Sequence, residues 1–265
     1  MTYDHSELIV LGSSAGVPTA HRFPTALALK VDEALYLVDC GAPVVTLLKA
    51  LGEDPRAIRA VFLTHWHPDH AAALPMLIQD LQLTGRAAPL PIYGPTGMAG
   101  KLDDLLRLFL IPREVLPFTL TGNDITDGPA FADGSVRVEY IPTNHLNTER
   151  WRELDAAHDR RLWPVACGGI VTIGAERILI SGDIRSSRDL VPYVADCSLV
   201  SHEFGHMPLE SIRDFAIAHR IKRLLVTHIH HEWDERTEEM RRILAQGYQG
   251  EILIGADGLR IPLAP

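Results

Sequence analysis

Short apolar runs closed by glycine, proline or aspartate alternate along this chain with segments whose apolar positions recur every three to four residues. In the first half, runs at 8–11, 26–31 and 35–38 read as strands. The segment 43–51 follows, with Val44, Leu47, Leu48 and Leu51 at helical spacing and Gly52 as its stop. A short buried strand at 60–63 leads into a helix expected over 71–83, then a strand at 90–93 and a helix over 101–110. In the second half, 136–141 alternates as a half-buried strand does, and 169–173 with 177–180 form a hairpin around Gly174-Ala175-Glu176. Strands at 198–200 and 224–226 flank a helix through Leu209, Ile212 and Ala216. A last helix, with Asp234 as its N-cap and Met240, Ile243 and Leu244 inward, ends at Gly247 before strands at 252–254 and 259–261. Strands first and a helix after, twice over, suit two packed sheets with helices on their outer faces. The pattern alone fits other layered α/β arrangements equally. No linker or repeat interrupts it, so a single domain over 1–265 is expected.

Composition narrows the setting and not the chemistry. With 46% hydrophobic residues in 265, the chain can bury a large core, yet no apolar stretch approaches the ~20 residues that span a bilayer. The N-terminus is polar and acidic, unlike a signal peptide. Cys40, Cys167 and Cys197 are odd in number and far apart, which fits a reducing cytoplasm better than a disulfide framework. A formal net charge of −9 argues against a protein whose main task is to wrap nucleic-acid phosphates.

Candidate chemistry concentrates in Thr64-His65-Trp66-His67-Pro68-Asp69-His70, between a strand and a helix. Three imidazoles and a carboxylate within six positions suit zinc, manganese or iron. Alternate residues of an extended segment point the same way, so His65 and His67 can share one metal, while the turn at Pro68 re-aims Asp69 and His70 toward a second position.

This segment resembles the second signature of the metallo-β-lactamase superfamily, and companions follow in order. Asp39 in Leu37-Val38-Asp39-Cys40-Gly41 resembles the first, a supporting carboxylate; His145, Asp183 in Ser181-Gly182-Asp183, and His228 resemble the third, fourth and fifth. The resemblance implies an αββα sandwich and a dinuclear centre. His65, His67 and His145 would hold one metal, Asp69, His70 and His228 the other, and Asp183 would bridge them. Zinc is the expected cation, with manganese possible. A narrower likeness, to the ribonuclease Z branch, lies in the loop 11–19 with Arg22, in Ile92-Tyr93-Gly94-Pro95, in His202-Glu203 and in Gly205-His206. It implies that His206 assists catalysis; we read His206 as a general acid held by Glu203, with Asp69 also catalytic, beside the plainer readings of a loop histidine capping the next helix and a carboxylate buried against backbone amides. The chain departs from that branch where a long tRNA-gripping arm commonly lies, between His145 and Asp183, and His202-Glu203 stands almost adjacent to Gly205-His206. The expected activity is therefore that of armless relatives, hydrolysis of small phosphodiesters such as cyclic nucleotides. Long tRNA-like substrates and membranes are not expected partners, and a homodimer is in keeping with the family. The alternatives are a lactone, thioester or β-lactam hydrolase on the same metals, a tRNA 3′-end endonuclease, a mononuclear iron enzyme, and a non-catalytic binding module.

Other polar residues have plainer readings beside the functional ones. His230 and His231 line a rim, and His219 sits near a helix C-terminus, where a cation is favourable. Arg150, Arg152, Arg160 and Arg161 can meet a phosphate bidentately, but interleaved acids favour a salt-bridged, solvated helix. Trp151 and Trp163 either stack on a base or cover the site as a lid.

Overall fold

The computed structural model describes residues 5–125, 129–158 and 165–263. Its elements run in chain order as β1 (Ser6–Gly12), β2 (Ala26–Val31), β3 (Ala34–Val38), α1 (Val44–Ala50), β4 (Ile58–Phe62), α2 (Pro68–Ala71), α3 (Leu74–Leu83), β5 (Leu90–Gly94), α4 (Met98–Leu108) and β6 (Leu120–Asp124). The second half follows as β7 (Pro129–Ala132), β8 (Arg137–Thr143), α5 (Glu149–Ala157), β9 (Ala166–Ile173), β10 (Glu176–Ile180), β11 (Leu199–Glu203), α6 (Leu209–Ala218), β12 (Arg223–Thr227), α7 (Thr237–Leu244), β13 (Glu251–Ile254) and β14 (Arg260–Pro262). Two seven-stranded sheets result, ordered β14-β1-β2-β3-β4-β5-β6 and β13-β12-β11-β10-β9-β8-β7.

Why the runs are apolar throughout follows from their surroundings. Alternate residues of a strand face opposite sides of its sheet. Leu8, Val10, Leu29, Tyr36 and Phe62 meet Val138, Val171, Ile178 and Ile180 between the sheets. The intervening Ile9, Leu11, Leu35, Leu37 and Val61 pack beneath α1, α3 and α4. Leu179, Val200, Leu224 and Val226 do the same beneath α6 and α7. Both faces are thus buried, at about 1.5–3 kcal/mol for each large side chain. The layers read helix, sheet, sheet, helix, the αββα sandwich.

Strand direction then places the chemistry. β3 to β6 run parallel, as do β10 to β13, and β8 runs with β10 because both are antiparallel to β9. The carboxyl ends of β3, β4, β8, β10, β11 and β12, with the amino end of β2, therefore collect along one rim, where ligands of open α/β sheets bind. Cys167 N–H donates to Thr64 O (3.0 Å), tying the two sheets together at that rim.

Two expectations are corrected, and two strands were not foreseen. The helix expected over 71–83 divides into α2 and α3, because Pro75 has no amide hydrogen and sits in the first turn of α3. Asp234 does not cap the last helix; it pairs with the Arg22 guanidinium (3.2 Å), and α7 begins at Thr237. Strands β6 and β7 had no signal in the pattern: Leu120-Thr121-Gly122-Asn123-Asp124 is poor in β-formers and is extended through its ladder with β5.

Candidate metal centre

Each side chain of the site comes from the rim. Asp39 follows β3, His65 follows β4, and Asp69 and His70 lie in α2, with His67 in its N-cap position. His145 follows β8, Asp183 follows β10, and His228 follows β12. Asp39 (φ 64°) and His228 (φ 51°) both adopt the left-handed region unusual for residues with a side chain, a strain that concentrates at functional sites. Two glycines make the close approaches possible: a Cβ on Gly182 would stand 2.3 Å from Cys167 O, and one on Gly205 would stand 2.6 Å from the His228 ring.

The structure gathers these residues into two groups. His65, His67, His145 and Asp183 each offer a ligand atom, all within 4.8 Å of one another; so do Asp69, His70 and His228. Asp183 faces both. Its Oδ2 stands 3.7 Å from His65 Nε2 and 3.7 Å from His145 Nε2. Its Oδ1 stands 3.3 Å from His70 Nε2 and 3.4 Å from His228 Nε2. Two atoms on one tetrahedral ion, each about 2.0–2.2 Å away, lie roughly 3.3–3.5 Å apart, so the spacings suit a cation between them. We call the groups the first and second pockets.

Contacts around the second pocket fix which nitrogen faces inward. His70 Nδ1 donates to Asp39 Oδ2 (2.7 Å), while Asp39 Oδ1 accepts from Thr64 N–H (2.8 Å). Thr25 Oγ1 gives its hydrogen to Ser14 O (2.9 Å), so it accepts from His228 Nδ1 (2.7 Å). Both histidines are left with Nε2 toward the pocket. Burial holds His65, His67 and His228 below the ordinary imidazole range and takes His145 down to about 4, so their ring nitrogens present lone pairs. Burial also works against charge on His70, but the Asp183 and Asp39 carboxylates outweigh it and lift this ring well above its usual value. Asp183 and Asp69 feel burial in the opposite sense, and the neighbouring His70 ring is the main influence that holds both below the carboxylate range.

Glu203 and His206 stand beside the shared carboxylate. Glu203 is buried; its Oε2 accepts from Gly205 N–H (2.6 Å) and His206 N–H (3.1 Å), and its Oε1 from His206 Nδ1 (3.0 Å). The structural and catalytic readings of Glu203 are thus compatible. The hydrogen bond to Glu203 raises the His206 pKa against the opposing pull of burial. His206 is 38% exposed and lies 4.0 Å from Asp183 Oδ2.

On the rim, the Trp151 ring lies 6.2 Å from that of His67, and α5 is capped by Thr148 Oγ1 accepting from Trp151 N–H (3.2 Å). Arg150 and Arg152 are exposed, and Arg152 turns to Asn147 Oδ1 (2.7 Å). Arg160, Arg161 and Trp163 lie outside the described residues. His230 takes the N-cap position of the turn His231–Trp233, and His219 ends α6 against Phe215. Sequence reasoning missed the roles of Thr25, Asn144 and Asp189, small polar residues without a signal of their own, and of Thr64, which opens the 64–70 segment but was given no part in it. It also missed how Arg22 ties the 11–24 loop down, with its guanidinium on Ser13 Oγ (2.9 Å) and Asp234.

Whether the residues fit a metal can be judged on their unpaired atoms. His65 Nε2, His70 Nε2, His145 Nε2 and Asp183 Oδ1 are buried without hydrogen-bond partners, and all four point into the pockets. Buried polar atoms are normally paired, so this concentration of orphans is the signature of atoms reserved for a cation.

A rim of histidines and aspartates on an αββα sandwich defines a metal-dependent hydrolase. The profile of the β-lactamase superfamily domain matches residues 35–229. The chain belongs to that superfamily, with the metallo-β-lactamase fold, and to its ribonuclease Z-like branch. Ribonuclease Z of Methanothermobacter thermautotrophicus is 24% identical over 88% of this chain and 89% of its own. The metallo-β-lactamase fold protein YhfI from Bacillus subtilis superposes with a TM-score of 0.75 at 21% identity, covering 98% of this chain and all of that one. A diphosphatase from the PhnP family gives 0.69 at 18% identity, covering 98% of each.

Proposed function

We propose that this chain is a two-metal phosphodiesterase acting on small phosphodiesters, cyclic nucleotides among them. The observation that supports this most directly is the placement of His206, held by Glu203, beside the one carboxylate common to both pockets. His65, His67 and His145 would hold one divalent cation and Asp69, His70 and His228 the other, with Asp183 offering a carboxylate oxygen to each. Zinc, or else manganese, would supply there an activated water and neutralise charge on the phosphoryl oxygens. Glu203 accepts His206 Nδ1–H and favours the doubly protonated imidazolium, whose Nε2–H is then the proton available to a leaving group. The Glu203 hydrogen bond raises the His206 pKa and so favours the charged ring, from which the proton passes to the departing oxygen. Trp151, whose ring lies 6.2 Å from that of His67, is the apolar side chain we assign to pack against the departing group.

The test is a panel of bis-p-nitrophenyl phosphate, cyclic nucleotides, homoserine lactones and nitrocefin. Cleavage of lactones with no phosphodiester turnover overturns the reading. His206→Ala should slow alkoxide departure by about 10²–10⁴-fold, and departure of p-nitrophenolate, which hardly needs a proton, far less. Equal losses would remove His206 from the acid role. A second reading, cleavage at the 3′ end of a tRNA precursor, draws support from the ribonuclease Z relatives. Against it stands the short connection between β8 and β9, residues 144–165. A tRNA precursor belongs in the same panel.

A further inference from the structure

We propose that Asp189 is a positioning residue for the first pocket, acting on His145 through the backbone. His70 and His228 are each gripped at ring Nδ1, by Asp39 and by Thr25. His145 is held one residue upstream instead. Asp189 Oδ2 accepts the backbone N–H of Asn144 (2.9 Å), and Asp189 Oδ1 accepts Asn144 Nδ2 (2.9 Å). The residue before that, Thr143, donates its hydroxyl to Asp183 O (2.8 Å). The two residues preceding His145 are thus tied by three hydrogen bonds to the segment that carries Asp183, in addition to the ladder through β9.

The anchor is itself firmly seated. Asp189 lies in the short turn Ser187–Leu190, whose Leu190 is fully buried in the second core. Asp189 N–H donates to Ser186 O (3.0 Å), and Ser187 Oγ pairs with buried His202 Nε2 (2.9 Å). A carboxylate is the apt anchor, since it accepts two parallel N–H bonds at once and each is charge-assisted. Asp189 does for His145 from behind what Asp39 does for His70 at the ring. Groups that orient metal ligands without touching the metal typically change affinity by about 10–100-fold when removed.

The proposal rests on the two pockets and not on the phosphodiester reading, so it is read without substrate. Full-length chain freed of metal by chelation is titrated with Co²⁺, and the visible absorbance counts equivalents and their affinities. Wild type should take two. Asp189→Ala should keep one tight equivalent and weaken the other by about 10–100-fold. Asn144→Ala, which spares the backbone arm, should weaken the same equivalent less. Asp189→Asn should stay near wild type, because its carboxamide oxygen still accepts the Asn144 N–H while the Asn144 amide turns over. The melting temperature of the metal-free variants should stay within a few degrees of wild type. Two wild-type affinities in Asp189→Ala overturn the proposal. So does parallel loss of both equivalents with a large fall in melting temperature, which makes Asp189 a stability residue, and so does an Asp189→Asn variant as impaired as Asp189→Ala.

Discussion

The two pockets share a carboxylate but are built to different standards of enclosure. In the second, His70 and His228 are buried and each donates Nδ1–H to a partner on another strand end, one of them a buried aspartate. In the first, His65 is the one fully enclosed histidine; His67 and His145 are half-buried, with Trp151, exposed α5 and the partly exposed His206 around them. A braced ligand set in the core favours tight, slow-exchanging binding. A set that opens on a helix with no buried residue favours access. On the proposed assignment, the second pocket retains its cation and the first meets the substrate.

Removing the shared carboxylate should have the largest effect. Asp183→Ala is expected to weaken both metals together and cut turnover by ~10³-fold or more; loss of only one equivalent by elemental analysis would dissolve the bridge. Next comes Asp39→Ala, which strips the acceptor from His70 Nδ1 and Thr64. The second equivalent should weaken by about 10–100-fold, and the fold should lose about 1–3 kcal/mol from unpaired buried donors. Selective loss of the first equivalent would contradict the contrast drawn between the pockets. A smaller change follows from Glu203→Gln. The carboxylate raises the His206 pKa, so a neutral amide lets it fall, and the alkaline limb of kcat against pH should move to lower pH. An unmoved limb would mean that His206 is not the titrating group. Smallest is Trp151→Ala, expected to raise KM for aromatic phosphodiesters by about 2–10-fold with metal content unchanged, the scale of one aromatic contact. A change in metal affinity without a change in KM would make Trp151 a cover for His67 alone.

Legibility in the sequence followed the range of each interaction. Strands buried on both faces were readable as apolar runs, and α1, α4 and α6 as periodic ones. β6 and β7 were not, because edge strands owe their extension to a neighbour's ladder more than to their own residues. Pro75 could have warned of the break before α3. Asp234 looked like a cap because nothing local reveals Arg22, more than two hundred positions earlier. At the site, His65, His67, Asp69 and His70 announced themselves by density. His145, Asp183 and His228 were legible only through family order, and Asp189, Thr25 and Thr64 not at all. A serine, threonine or aspartate acquires its role from the partner that folding brings to it.

By itself the sequence determined which faces of each element are buried and that four side chains of metal-ligating type lie on one short turn, since both depend on periodicities of two and 3.6 residues along the chain. The tertiary structure alone decided how those four divide between two pockets, that one oxygen of Asp183 faces each, and which ring nitrogens are held from behind. The cause is topological: parallel strands from two sheets end along one rim, and only there do residues distant in sequence come within a hydrogen bond of each other.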